Sequence, residues 1–248
     1  LKHDFFDSHN HEGSILSGLD PRAKLLATLA FIILITLLPN GSYHAYLALF
    51  FALLVMIVAS KVRFGHYLQS LLLIAPLLLA FLLSVPFIRD ANPASTALSS
   101  HRLELLFALV SKTVLSYLFS VVLLFSTSFT RLMEATQKLG MPKILVMIAN
   151  FAYRYQFIIV DEVERLSRSR NSRLWQPRFI NQAKTIGYMA GTLFIRSYER
   201  SERVYMAMSS RGFDGKFVSE SEMKLTVADF AYLLSCAAII AAVWIWLA

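Results

Sequence analysis

The stretch "PKILVMIANFAYRYQFIIVDEVERLSRSRNSR" (142–173) changes character halfway along. Its first half, to Val160, is apolar enough to belong with a membrane, and its second is densely charged. Asp161 precedes Arg165, and Glu164 precedes Arg168, in the acid-before-base order that favours a helix at a spacing of four. The arginines gather at the C-terminal end, where the helix dipole attracts positive charge. One long helix is expected here, beginning afresh at Pro142 and running to about Arg173.

The segments on either side set the context. "LLATLAFIILITLL" (25–38) and "LALFFALLVMIVA" (47–59) carry no charge. The whole chain of 248 residues is 56% hydrophobic and only 16% charged, where a soluble domain carries about 25%. Five transmembrane helices are expected, over roughly 23–39, 44–60, 68–88, 104–127 and 225–247. Pro76 lies inside the third and is a candidate kink. The fold class is therefore an all-α integral membrane protein with long amphipathic cytoplasmic helices. It divides into 1–127 (tail and four spans), 128–224 (polar helical insert) and 225–248 (fifth span).

Loop charges give the orientation. "PNGSYH" (39–44) has no Lys or Arg, whereas "SKVRFGHY" (60–67) has Lys61 and Arg63. Between Arg131 and Lys224 there are 16 Lys/Arg against nine Asp/Glu, nearly all of the net +8. Basic residues resist translocation, so the N-terminus and the insert are expected in the cytoplasm and the C-terminus outside, in the cytoplasmic (inner) membrane of a cell. The charge is thus a membrane signal, and no aromatic-basic pattern points to nucleic acid. The polar N-terminus lacks the apolar core of a cleaved signal peptide. The lone Cys236 excludes a disulfide within the chain.

Within the insert, "TRLMEATQKLG" (130–140) reads as a short helix with Thr130 as N-cap candidate and Gly140 as stop. A further helix is expected over about 179–210. Phe179, Ala183, Ile186, Ala190, Phe194, Ser197, Ser201, Val204 and Met208 recur at steps of three and four as a packing stripe. Both long helices end on an arginine between small residues, Ser169-Arg170-Asn171 and Ser210-Arg211-Gly212. Small neighbours leave the guanidinium fork open to a carboxylate on another protein. Taken singly, Gly212 is also an ordinary helix C-cap. Asp20-Pro21-Arg22 reads as an N-cap with proline in the first turn, and Arg22 and Lys24 as inside-facing anchors. Arg154, inside an apolar run, is expected to be a buried structural anchor against a helix or lipid headgroups.

These stretches resemble the transmembrane coupling subunits (T components) of energy-coupling-factor transporters, in the ABC transporter class. The likeness runs through "LDPRAKLL" (19–26), through 138–173, and through "SYERSERVYMAMSSRGFDG" (197–215). The family's paired X-Arg-X signatures match Ser169-Arg170-Asn171 and Ser210-Arg211-Gly212, with Ser where Ala is usual; Arg168 offers another register for the first. The wording is most similar to the cobalt-transport subgroup, with nickel next. The resemblance implies a non-catalytic scaffold that docks on two cytoplasmic ATP-binding subunits and holds a small membrane substrate-binding subunit. ATP and magnesium would belong to the ATPases. Gly140, Pro142, Arg154 and Asp20-Pro21-Arg22 are carried as coupling or structural positions. A vitamin-uptake T component is the alternative, and a self-contained carrier or channel a more distant one.

The chain itself has no G-x-x-x-x-G-K-[ST] phosphate loop, since Gly215-Lys216 is followed by Phe217. No catalytic residue is assigned, and the spans lack the convergent ionisable groups of an intramembrane enzyme. His3, Asp4, Asp7, His9, His11 and Glu12 have metal-binding chemistry but no helical pattern to fix ligand geometry, so no metal site is assigned.

Overall fold

The computed structural model describes residues 18–60, 64–84, 100–173, 179–213 and 226–247. Every regular element among them is helical: α1 (Pro21–Leu37), α2 (Tyr43–Ser60), α3 (Phe64–Ser84), α4 (Ser100–Ser126), α5 (Phe129–Lys138), α6 (Lys143–Arg173), α7 (Phe179–Ser209) and α8 (Val227–Leu247). The N-terminal histidine cluster, most of the 89–102 loop and the Gly215-Lys216 pair lie outside the described residues.

Helices α1 to α5 and α8 form one unit, and α6 and α7 another. In the first, α1 turns one stripe inward: Ala27, Phe31, Leu34, Ile35 and Leu38 are buried at steps of three and four. Phe31 stacks on Phe119 of α4, centroids 4.7 Å apart. From α2, Tyr46, Leu49 and Leu53 complete the core, and α8 contributes Cys236 and Val243 at a step of seven. Opposite faces stay apolar and exposed, with Leu47 71%, Val58 72% and Leu73 80% accessible. Water would not tolerate that many bare leucines on one bundle, and a hydrocarbon solvent does.

Among the described residues, five helices are long and apolar enough to cross a membrane: Tyr43–Ser60, Gly65–Leu83, Glu104–Ser126, Val227–Trp244 and, unexpectedly, Lys143–Arg173. The set expected from sequence held 23–39 instead of the last. Helix α1 has 17 residues, about 25 Å of rise against roughly 30 Å of hydrocarbon, so it is short for a span although it packs at the centre of this unit. Helix α6 qualifies through its apolar first half. Pro76 lies inside α3, which is one continuous helix.

Helix α1 runs antiparallel to α4 and is tied to it at both ends. Lys24 Nζ, near the N-terminus of α1, donates to the Ser126 carbonyl at 3.1 Å. At the other end Lys112 Nζ donates to the Leu38 carbonyl at 2.6 Å. Tyr117 of α4 donates to the Ser70 carbonyl of α3 at 2.8 Å. Helix α5, grouped with the polar insert on sequence, packs on α1 and buries Ala135 completely.

Candidate functional site

Helices α6 and α7 are 31 residues each, rods of about 46 Å. Glu162 of α6 and Arg196 of α7 pair directly. Beside that pair the helices enclose an apolar groove lined by Phe151, Tyr155, Ile159, Leu193, Val204 and Met208. The stripe expected on α7 is corrected here. Its later members, Ser197, Val204 and Met208, line or border the packed face, but Ile186 and Phe194 are 51% and 72% exposed. Met189 and Leu193 face inward instead. The helix is apolar on two sides, so two rows at steps of three and four coexist and periodicity alone cannot choose between them.

The two arm ends are not built alike. Helix α6 continues through Ser169-Arg170-Asn171 to Arg173, so the first motif is helical and not terminal. There Arg170 donates from Nε and Nη2 to Oδ1 of Asn171, at 3.2 and 3.0 Å, which holds the fork against its own neighbour. The second motif closes α7. Phe213 N–H donates to the Met208 carbonyl at 3.1 Å and Gly212 N–H to Ser209 at 3.0 Å, with Gly212 at φ +77°. That is a Schellman turn, and it leaves Arg211 exposed at the C-cap, two residues beyond the last helical residue, Ser209.

Arg154 is exposed and not buried; α6 keeps the flanking Tyr153 and Tyr155 half-buried and turns the charge outward. Gly140, at φ +110°, ends the α5 segment. The Pro142 carbonyl accepts from Leu145 at 3.0 Å, placing Pro142 just ahead of α6. The short helix is capped at Ser128 rather than Thr130, with no side-chain bond.

A polar knot that sequence did not reveal joins the start of α1, the end of α4 with the link to α5, and the start of α8. Asp20 caps α1 by accepting from Arg22 N–H at 2.9 Å, with Pro21 in the first turn, as expected. Its own backbone N–H donates to Oδ1 of Asp229 at 2.7 Å. The other Asp229 oxygen accepts from Thr226 N–H and Oγ1, at 2.7 and 2.6 Å, which makes the carboxylate half of a capping box at the start of α8. Lys24 is 2% exposed and donates to Ser126 O and to Thr127 Oγ1 at 3.1 and 3.3 Å. It is a buried cross-brace, a partnership that the reading of Lys24 as an inside-facing anchor did not include. Only the Thr-x-x-Asp spacing at 226–229 could have signalled the knot.

A family model for the cobalt transport protein CbiQ matches residues 12–225. The chain belongs to the CbiQ family. The energy-coupling factor transporter transmembrane protein EcfT of Clostridium kluyveri is 27% identical, over 93% of this chain and 94% of that protein. EcfT of Listeria innocua is 26% identical, over 82% of each. A putative fused cobalt transport protein CbiMQ of Methanocorpusculum labreanum is 28% identical over 46% of this chain and 19% of that protein. The chain is thus the multi-pass T component of an energy-coupling-factor transporter, a non-catalytic subunit whose family works with ATPases and a substrate-binding component. Among the described residues of this T component, no three His, Cys, Asp or Glu side chains gather as a metal site.

Proposed function

We propose that this T component couples ATP hydrolysis on two separate cytoplasmic ATPase subunits, which hold the ATP and magnesium, to import of a transition-metal ion. Cobalt is the first assignment and nickel the second, the ion being bound by a separate membrane subunit. The observation that carries the metal assignment is the match of the cobalt-transport family model along residues 12–225. The N-terminus and the arms lie in the cytoplasm and the C-terminus outside. In support, the loop charges segregate that way, and the start of α1, the end of α4 and the start of α8 share one end of the bundle.

The arms transmit the push. Stiff helices of about 46 Å, held in register by Glu162 and Arg196, carry displacement from tip to membrane unit. Ser169, Arg170 and Asn171 form one docking tip and Ser210, Arg211 and Gly212 the other, each offering an arginine to an acidic groove on an ATPase. Asp20, Pro21 and Arg22 set the start of α1 within the membrane unit, Gly140 and Pro142 mark the break in the chain between α5 and α6, and Arg154 faces lipid headgroups. A second reading is favoured by one fact: the relatives aligned along most of the chain are named EcfT, with no metal in the name. On that reading the cargo is a vitamin.

The test is co-expression with the ATPases and membrane subunit of the same system, followed by ATP-driven cobalt(II) uptake in proteoliposomes with nickel(II) and vitamins as competitors. Arg170→Ala/Arg211→Ala is expected to weaken ATPase binding at least about tenfold, as loss of a desolvated arginine contact does. Full assembly and transport by that variant would refute the docking tips, and competition by a vitamin alone would replace the metal with the second reading.

A further inference from the structure

The Lys24 ammonium sits where two helices meet. Ser126 is the last residue of α4, and Thr127 and Ser128 separate it from α5. The Ser126 carbonyl is one of the groups a helix end leaves without an intrahelical partner, and Lys24 satisfies it while also holding Thr127 Oγ1. The charges acting on Lys24 are Asp229 and Asp20, which attract it, and Arg131 of α5, which repels it. Thr28 Oγ1 bonds the Lys24 carbonyl at 2.8 Å, and Asp229 ties the same turn of α1 to α8. Helix α5 then runs by way of Leu139 to Pro142 directly into α6.

We infer that Lys24 is a positioning residue for coupling: it fixes the α4–α5 elbow, the covalent route by which movement of the arm α6 enters the membrane unit. This rests on the coupling function proposed above. A buried ammonium suits that task. Its bonds to Ser126 and Thr127 hold the elbow at one angle, and an apolar side chain of equal length fills the space without specifying that angle. Loss of the ammonium then leaves the subunit assembled and the elbow loose, so hydrolysis continues while transport lags.

The experiment uses the whole transporter complex in nanodiscs, with Cys236→Ser and spin labels at Leu26→Cys and Lys138→Cys, on α1 and α5. Lys24→Met is expected to broaden the label–label distance distribution. It is also expected to keep ATP hydrolysis within about twofold and to lower cobalt(II) uptake per ATP about tenfold, within the span of ordinary coupling energies. Lys24→Arg is expected to restore both. A distribution as narrow as that of the native protein overturns the inference, and so does a fall of hydrolysis and uptake by the same factor. If Lys24→Met fails to assemble, Thr127→Val takes its place, with a smaller broadening expected and an unchanged width overturning the idea. A native complex that takes up no cobalt(II) indicts the metal assignment instead, because the label distances need no substrate.

Discussion

The backbone N–H of Asp20 donates to Oδ1 of Asp229, 2.7 Å away across 209 positions of chain. One carboxylate thereby caps α8 from within and stitches it to the first turn of α1. Asp229→Ala removes three bonds, stranding the buried Asp20 N–H and freeing the part-buried Thr226 N–H. A loss of about 2–3 kcal/mol is expected, since hydrogen bonds to charged groups are the costly ones to break. Asp229→Asn, which keeps an acceptor oxygen, should lose less. Thermal unfolding of the purified subunit in detergent reads both.

Lys112 does for the other end of α1 what Asp20 does for its start. Its ammonium reaches the Leu38 and Thr36 carbonyls, at 2.6 and 3.3 Å, and Asn40 Oδ1 at 3.4 Å. These carbonyls carry the negative end of the helix dipole, so Lys112→Met should destabilise the subunit by about 1–2 kcal/mol. An intramembrane cation of this kind invites a transport or catalytic role, and its partners assign it to architecture. Substrate transport per assembled complex should therefore be unchanged, and a selective loss of transport would show that Lys112 does more.

The Glu162–Arg196 pair sets the register of the arms across a half-open surface. Arg196 keeps 53% of its side chain accessible, so solvent screens the pair and its worth is about 0.5–1 kcal/mol. A double-mutant cycle with Glu162→Gln and Arg196→Gln should return a coupling energy of that size. The charge-reversed pair, Glu162→Arg with Arg196→Glu, should recover part of it. Zero coupling would leave register to the apolar groove alone.

What the sequence disclosed was local. Asp20 before Pro21, Gly140 and Gly212 are legible because a cap acts on its own neighbours within a turn. The apolar runs are legible because a span needs only length and the absence of charge. The knot was hidden because Lys24 and Asp229 find partners 102 and 209 positions away, and no spacing rule covers such pairs. The α7 stripe was misplaced for a different reason. Ile186 and Phe194 form a row as regular as that of Met189 and Leu193, and only packing against α6 decides which row is inside. The difference between the tips was equally invisible, since the second stops on a glycine and the first runs on for two further residues.

Gly212 separates conformation from contact at the second tip. A Cβ there meets nothing within 4 Å, yet the residue sits at φ +77°. Gly212→Ala should therefore cost about 1 kcal/mol through backbone strain alone. It should fray the turn that presents Arg211 and, on the docking proposed above, weaken ATPase binding several-fold while the membrane unit melts unchanged. Gly212→Asn, which tolerates the left-handed region, should bind close to normally. Gly191, in mid-helix on α7 with equal space around it, is the control. Gly191→Ala should stabilise the arm by about 0.5–1 kcal/mol without touching ATPase affinity. Equal effects of the two alanines on affinity would mean that the Schellman turn does not position Arg211.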